Sequence, residues 1–307
     1  MKVILICTKK EFDQKRIRQI EKHAPVKWID DEKVNLLEVT DLFDNEEKIL
    51  ALSPVSLSWK IPKDIYKKLR NVRHICLVTT AYDFIDLDQC KALGIQVTNV
   101  PYYSTNAVAE YAVYMMMSLL KKFPIQFKSD FKYEFTDEVL MEELKSKTVG
   151  IVGLGHIGSR TAEITTGLGM KTYYWSRNKK KTEIPYKNLE ELIETSDIVF
   201  PTIAVNEETA NFFNKDLLSK LKPTSYFISM IDEKAWDKQY LLDRASENKL
   251  AGLAFESDKK KMIDFNGNVF VTASLAWYTD QSLENNIQIW VDNIISVIEG
   301  NPKNVVN

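Results

Sequence analysis

Gly153, Gly155 and Gly158 stand in "TVGIVGLGHIGSRTAEITTGLGMKTYYWSR", between an apolar run and a helical pattern that leads into a second apolar run. Glycine at the first position allows a tight turn, at the second lets an anion reach the backbone, and at the third lets helix and strand pack closely. The helix would open with unpaired N–H groups and the positive end of its dipole, which suits a pyrophosphate. With strand, turn, helix and second strand all at the expected lengths, the stretch is expected to bind a dinucleotide, with His156 and Ile157 in the same loop.

The residue ending the second strand decides which dinucleotide fits. An acid there bonds the adenosine ribose 2′-hydroxyl and repels a 2′-phosphate. Here Ser176 takes that place, followed by Arg177, Asn178 and Lys179 to Lys181. A hydroxyl, a guanidinium and several ammonium groups suit a phosphate, so NADP(H) is expected in preference to NAD(H). A further strand, "YFISMI", runs straight into Asp232, Glu233 and Lys234, and in a parallel sheet that end is where a ligand sits.

Strand-like runs and helical patterns alternate along the whole chain. "KVILIC", "KILALS", "HICLVT" and "IQVTNV" form a first series, and "TVGIVG", "KTYYWS", "DIVFPTIA", "SYFISMI", "LAGLAFE" and "NVFVTA" a second. Such alternation predicts an α/β protein with two doubly wound parallel sheets. A helix is expected from about Asn106 to Lys122, and a long amphipathic one over Asp280 to Val297. At 307 residues and 45% hydrophobic, the chain is long enough for two domains with real cores. Its 41 basic and 43 acidic side chains are spread evenly, which leaves no electrostatic footprint for nucleic acid or a membrane surface. Cys7, Cys76 and Cys90 lack metal-ligand spacing and read as buried thiols in a reducing cytosol, so a cytoplasmic location is expected. No segment reads as a signal peptide or a membrane span.

The order of motifs resembles the D-isomer-specific 2-hydroxyacid dehydrogenase family over nearly the whole chain. "TTAYDFIDLDQCKALGIQVTNVPYYSTNAVAEYAV", "KTVGIVGLGHIGSR", "SDIV", "NEET", "LLSKLKP" and "DKQYLLDRASENKLAGLAFE" carry the resemblance. It implies a Rossmann coenzyme domain, residues 99–272, inserted into a flavodoxin-like substrate domain of residues 1–98 and 273–307. It also implies a homodimer held largely by the coenzyme domains, with a small-molecule substrate in a cleft between the two domains. Cofactor contacts are implied for Thr105, Ala204, Asn206, Thr209, Met230, Ile231 and Glu256, the last standing for the Asp that family members use near the carboxamide.

Members of the family transfer hydride between a nicotinamide and C2 of a 2-keto or 2-hydroxy acid. They use an Arg to hold the acid, a His to protonate the oxygen, and a Glu that raises the basicity of the His. At the matching positions this chain has Asp232, Ser274 and Lys261. Its histidines, His23, His74 and His156, fall in the first helix, at the entering end of a strand and beside the phosphates, and a serine hydroxyl is far too weak an acid to substitute. The family's glycine-rich carboxylate-binding turn is replaced by Thr79, Thr80 and Ala81. Asp232, Lys261, Ser274 and Tyr278, with Glu256 and Tyr102 or Tyr103, are the candidates for a replacement set, in which a Tyr and Lys pair could donate a proton. An Asp for Arg exchange disfavours a carboxylate and favours a neutral or cationic substrate, such as an amine, imine, ketone or sugar derivative. Two readings follow: an NADP(H) oxidoreductase acting on a carbonyl substrate other than a simple 2-keto acid, or a catalytically inactive NADP(H)-binding protein with a sensing or scaffolding role.

Overall fold

The computed structural model describes all 307 residues and divides into two units. The first comprises Met1–Ser104 and Thr279–Asn307. Its strands are β1 (Lys2–Ile6), β2 (Val26–Ile29), β3 (Lys48–Leu52), β4 (Val72–Leu77) and β5 (Gln96–Thr98). They form one parallel sheet in the order β2-β1-β3-β4-β5, the flavodoxin-like arrangement. Every residue of β3 is buried, as expected of a strand covered on both faces. The helix Asp280–Ile298, capped by the Thr279 hydroxyl, returns from the far end of the chain to this unit. Its Trp290 meets Phe12 edge-on at 5.3 Å, and the indole Nε1–H donates to the Cys76 carbonyl at 2.9 Å.

The second unit, Thr105–Tyr278, holds β6 (Thr148–Val152), β7 (Lys171–Trp175), β8 (Ile198–Pro201), β9 (Tyr226–Ser229), β10 (Gly252–Glu256) and β11 (Val269–Thr272). Their order is β11-β10-β9-β8-β6-β7, all parallel, with a bridge from Tyr174 to Tyr186 marking an incomplete strand beyond β7. The chain leaves β6 for β7 on one side and returns to β8 on the other. The carboxyl ends of β6 and β8 are therefore the switch point where an open α/β sheet takes its ligand. The helix Thr105–Leu120, rich in Ala and Met, buries Ala112, Met115, Met116 and Leu119 in the core of this unit.

Two expectations need adjustment. The short strand β2 lies at the sheet edge with Lys27 exposed, so "VKWI" lacks the unbroken apolar run that marks its neighbours. The unit boundaries fall at 104/105 and 278/279 instead of 98/99 and 272/273. Residues beyond 98 stay with the first unit because the Val100 N–H donates to the Thr79 carbonyl (3.0 Å) and Tyr103 packs on its core. Residues 273–278 stay with the second because Glu256 and Asp258 accept backbone N–H groups of that segment.

Cys7, Cys76 and Cys90 are buried free thiols, and burial pushes Cys76 and Cys90 up to about 12 and about 11. No helix is long and apolar enough to cross a membrane.

Candidate active site at the carboxyl ends of β6 to β10

The glycine loop follows β6 directly. Gly153 has φ +106°, and a Cβ there would lie 2.8 Å from the Ile203 backbone nitrogen, so both conformation and space require glycine. A Cβ on Gly158 would lie 2.1 Å from the Gly153 carbonyl oxygen and 2.7 Å from Thr202 Oγ1. Gly155 differs. It has φ −85°, and a Cβ there would meet nothing within 4 Å. The packing of the protein itself does not require glycine at 155. Gly155 is also the N-cap of the helix His156–Gly167, and no side chain caps that end. An uncapped N-terminus beside open space is what a pyrophosphate needs, so the loop fits a dinucleotide.

The switch-point loop after β8 holds this turn in shape. Thr202 Oγ1 donates to the Gly153 carbonyl at 2.6 Å, and the Gly153 N–H donates to the Trp175 carbonyl at 2.8 Å. Asn206 accepts from the N–H groups of Glu208 and Thr209, while Thr209 Oγ1 donates to the Ala204 carbonyl at 2.8 Å. These bonds bring the sequence-predicted Ala204, Asn206 and Thr209 into one rigid loop opposite the glycines. Thr202 was not among the predicted residues; its only sequence signal is its place directly after β8.

At the end of β7, Ser176 is buried and its hydroxyl donates to the Asn178 carbonyl at 2.6 Å. Arg177 is exposed and pairs with Glu208 at 3.1 Å, a solvated pair of small worth that a stronger anion can displace. Lys179 Nζ lies 4.6 Å from the centre of the Tyr186 ring, and the Tyr174 hydroxyl accepts the Lys180 N–H at 2.8 Å. The basic turn is thus an ordered element, and no acid occupies the end of β7.

Beyond β9 and β10 the same sheet edge opens into a hollow of about 600 Å³. Met230, Ile231, Asp232, Glu256 and Ser274 all line it, so the structure assembles these predicted residues in one place. Asp232 is exposed and caps the short turn Glu233–Ala235, one carboxylate oxygen accepting the Lys234 N–H at 2.8 Å. Glu256 is half-buried and accepts the Ala276 N–H at 3.0 Å; burial pushes its carboxyl above the usual range. Asp258, another residue the sequence did not single out, accepts the Ser274 N–H at 3.0 Å, and this bond holds its carboxyl below the usual range. Lys238 is drawn against Glu233 (2.8 Å) and the Phe255 ring (4.6 Å), while Lys234, Lys259 and Lys260 stand exposed at the rim.

Other candidates lie elsewhere. Lys261 is exposed outside the wall of the hollow, its N–H bound to Asp264 at 2.8 Å, and Tyr278 is exposed against Trp277. No histidine or tyrosine lines the hollow. In the first unit, the Ala81 N–H is already donated to Thr79 Oγ1 at 3.2 Å, and the Thr80 hydroxyl donates to the Val100 carbonyl at 2.7 Å. At least one backbone donor of that turn is therefore spoken for.

Residues 113–266 match the family described as D-isomer specific 2-hydroxyacid dehydrogenase, NAD binding domain. The chain belongs to this family. As a member, it is an oxidoreductase-type protein with a domain that binds a nicotinamide dinucleotide. A hydroxypyruvate reductase of Blautia hydrogenotrophica is 26% identical over 290 residues, covering 87% of this chain and 90% of that protein. An acyclic imino acid reductase solved with NADPH and D-Arg superposes with a TM-score of 0.82 at 25% identity, over 100% of both chains. The NAD-complexed D-isomer specific 2-hydroxyacid dehydrogenase of Lactobacillus delbrueckii ssp. bulgaricus gives 0.83 at 24%, also over 100% of both chains, and shares the fold.

Proposed function

We propose that the protein is an NADP(H)-dependent reductase whose hydride acceptor is not a simple 2-keto acid. The observation that carries the proposal is the lining of the hollow: Asp232 and Ser274, which motif order matches to the family's cation and acid, both line it, and no histidine or tyrosine does. Bound reduced nicotinamide supplies a hydride. The chain's own residues hold the dinucleotide on the uncapped helix and the Thr202-braced turn, and Asp232 and Glu256 present carboxylates to the acceptor. A solved relative that acts on an imino acid with NADPH supports both an acceptor other than a keto acid and the phosphorylated cofactor. The reading is tested by screening carbonyl and imine acceptors for NADPH oxidation beside glyoxylate, hydroxypyruvate and pyruvate.

NADP(H) preference rests on the basic turn. Arg177, once released from Glu208, is the cation placed for a 2′-phosphate, with Ser176, Asn178 and Lys179 forming the rest of the turn. Arg177→Ala is expected to weaken NADPH by about 10- to 100-fold, the worth of a charge-assisted hydrogen bond, and to leave NADH nearly unchanged. Equal losses for the two cofactors in a fluorescence titration would place the phosphate elsewhere.

A homodimer is part of the same reading. Between the helices of the second unit and β6, Phe131, Tyr133, Phe135, Leu140 and Met141 are exposed by 55%, 90%, 89%, 68% and 50%. Contiguous apolar side chains at such exposure mark an association face, and a second copy is the proposed occupant. Light scattering should give twice the chain mass, and Tyr133→Lys with Phe135→Glu should give a monomer that still binds NADPH. A monomeric parent protein would overturn this point.

A further inference from the structure

We infer that the acceptor is an iminium, a C=N group that enters the hollow of Asp232 and Glu256 already protonated and positively charged. The inference rests on the reductase reading above and narrows it to one substrate class.

Proton balance is the first reason. Hydride addition to a carbonyl leaves an alkoxide, which needs a proton as it forms, and the family takes that proton from a histidine. Here the position is Ser274, whose backbone is tied to Asp258. Of the lysines that line the hollow, Lys238 is committed to Glu233 and Phe255, and Lys234, Lys259 and Lys260 are exposed at its rim. An iminium needs no such donor. The carbon gains the hydride, the C=N π pair becomes the nitrogen lone pair, and the reduced nicotinamide is oxidised. The amine takes its proton from water afterwards. Loss of the family acid disables carbonyl reduction and leaves iminium reduction untouched.

Charge is the second and independent reason. Arginine at position 232 would repel a cationic acceptor, whereas the carboxylate there attracts it. Only one oxygen of Asp232 is used by the backbone, and no ammonium or guanidinium pairs with either Asp232 or Glu256. Glu256 is the telling member. A half-buried carboxyl with no cation beside it gains from a positive ligand what the protein does not provide.

The test uses the complete protein saturated with NADP⁺ and reads binding. Pyrrolidine, the product of 1-pyrroline reduction and a cation at neutral pH, is titrated calorimetrically beside cyclopentanol, a neutral molecule of similar shape. We expect pyrrolidine to bind at least about tenfold tighter, and Asp232→Asn or Glu256→Gln to erase most of that advantage. Both variants keep an acceptor oxygen for the backbone bonds, and unchanged melting temperatures confirm their fold. With NADPH, cyclic and acyclic imines should be reduced and ketones of the same skeleton should not. Oxidation of NADPH by ketones, with no preference for the amine over the alcohol, overturns the iminium and leaves the reductase standing. Binding of NADPH with oxidation by neither class overturns both.

Discussion

Gly155→Ala should leave the protein within about 1 kcal/mol of its parent stability and remove nearly all affinity for a dinucleotide, while Gly158→Ala should damage the fold itself. The contrast comes from the surroundings of two glycines in the same turn. A methyl group at 155 meets nothing within 4 Å, and its φ of −85° suits any residue. The only folding cost is that alanine is a poorer N-cap than glycine, a matter of about 1 kcal/mol or less. That methyl stands in the path of a pyrophosphate approaching the first turn of the helix. Losing that approach forfeits charge-assisted bonds to the backbone, about a hundredfold or more in affinity. At 158 the methyl would lie 2.1 Å from a backbone oxygen, and that oxygen is fixed by Thr202. Overpacking at a site that cannot yield costs about 1 to 3 kcal/mol or more. Thermal melts and NADPH titrations of the two variants separate these outcomes. Retained binding in Gly155→Ala would remove the pyrophosphate from this loop.

Asp232→Arg, Lys261→Glu and Ser274→His together should give a protein that reduces glyoxylate or hydroxypyruvate faster than its parent. Restoring a general acid and its orienting partner contributes about 10² to 10⁴ in rate in known cases. The backbone that would carry the new histidine is already anchored, through Asp258 to residue 274 and through Glu256 to residue 276. Three features oppose the gain. Arginine at 232 abandons the cap on Glu233–Ala235, at a cost of about 1 kcal/mol, the Ala81 N–H stays bound to Thr79, and residue 261 lies outside the wall of the hollow. A folded, NADPH-binding triple variant without any activity would assign the fault to the Thr79–Ala81 turn or to the placement of residue 261. High activity of the parent protein on the same acids would contradict the replacement of the triad altogether.

The buried parallel strands were legible because strands covered on both faces read as unbroken apolar runs, and β3, β6 and β9 are of that kind. β2 escaped because an exposed Lys27 interrupts a strand of only four residues. The glycine loop was legible through spacing, since each glycine answers a separate demand of the turn. What holds that loop was not. Thr202 reaches back some fifty positions to Gly153, and Glu208 meets Arg177 from another loop, contacts that exist only once β8 lies beside β6. Within the candidate site, motif order alone placed Asp232, Glu256 and Ser274, which do line one hollow. The same matching gave no warning that Lys261 would lie outside its wall, because the polar loop after β10 carries no periodicity to fix where its side chains go.

On the proposed reading the dinucleotide site is kept while the 2-keto acid reaction is lost. The most direct test of that reading is a single-turnover experiment with the protein in excess over NADPH, in which binding is read from the fluorescence of Trp175 beside the basic turn, and glyoxylate, hydroxypyruvate or pyruvate is then added. The predicted result is a bound cofactor that stays reduced with all three acids; rapid oxidation by any of them would contradict the account.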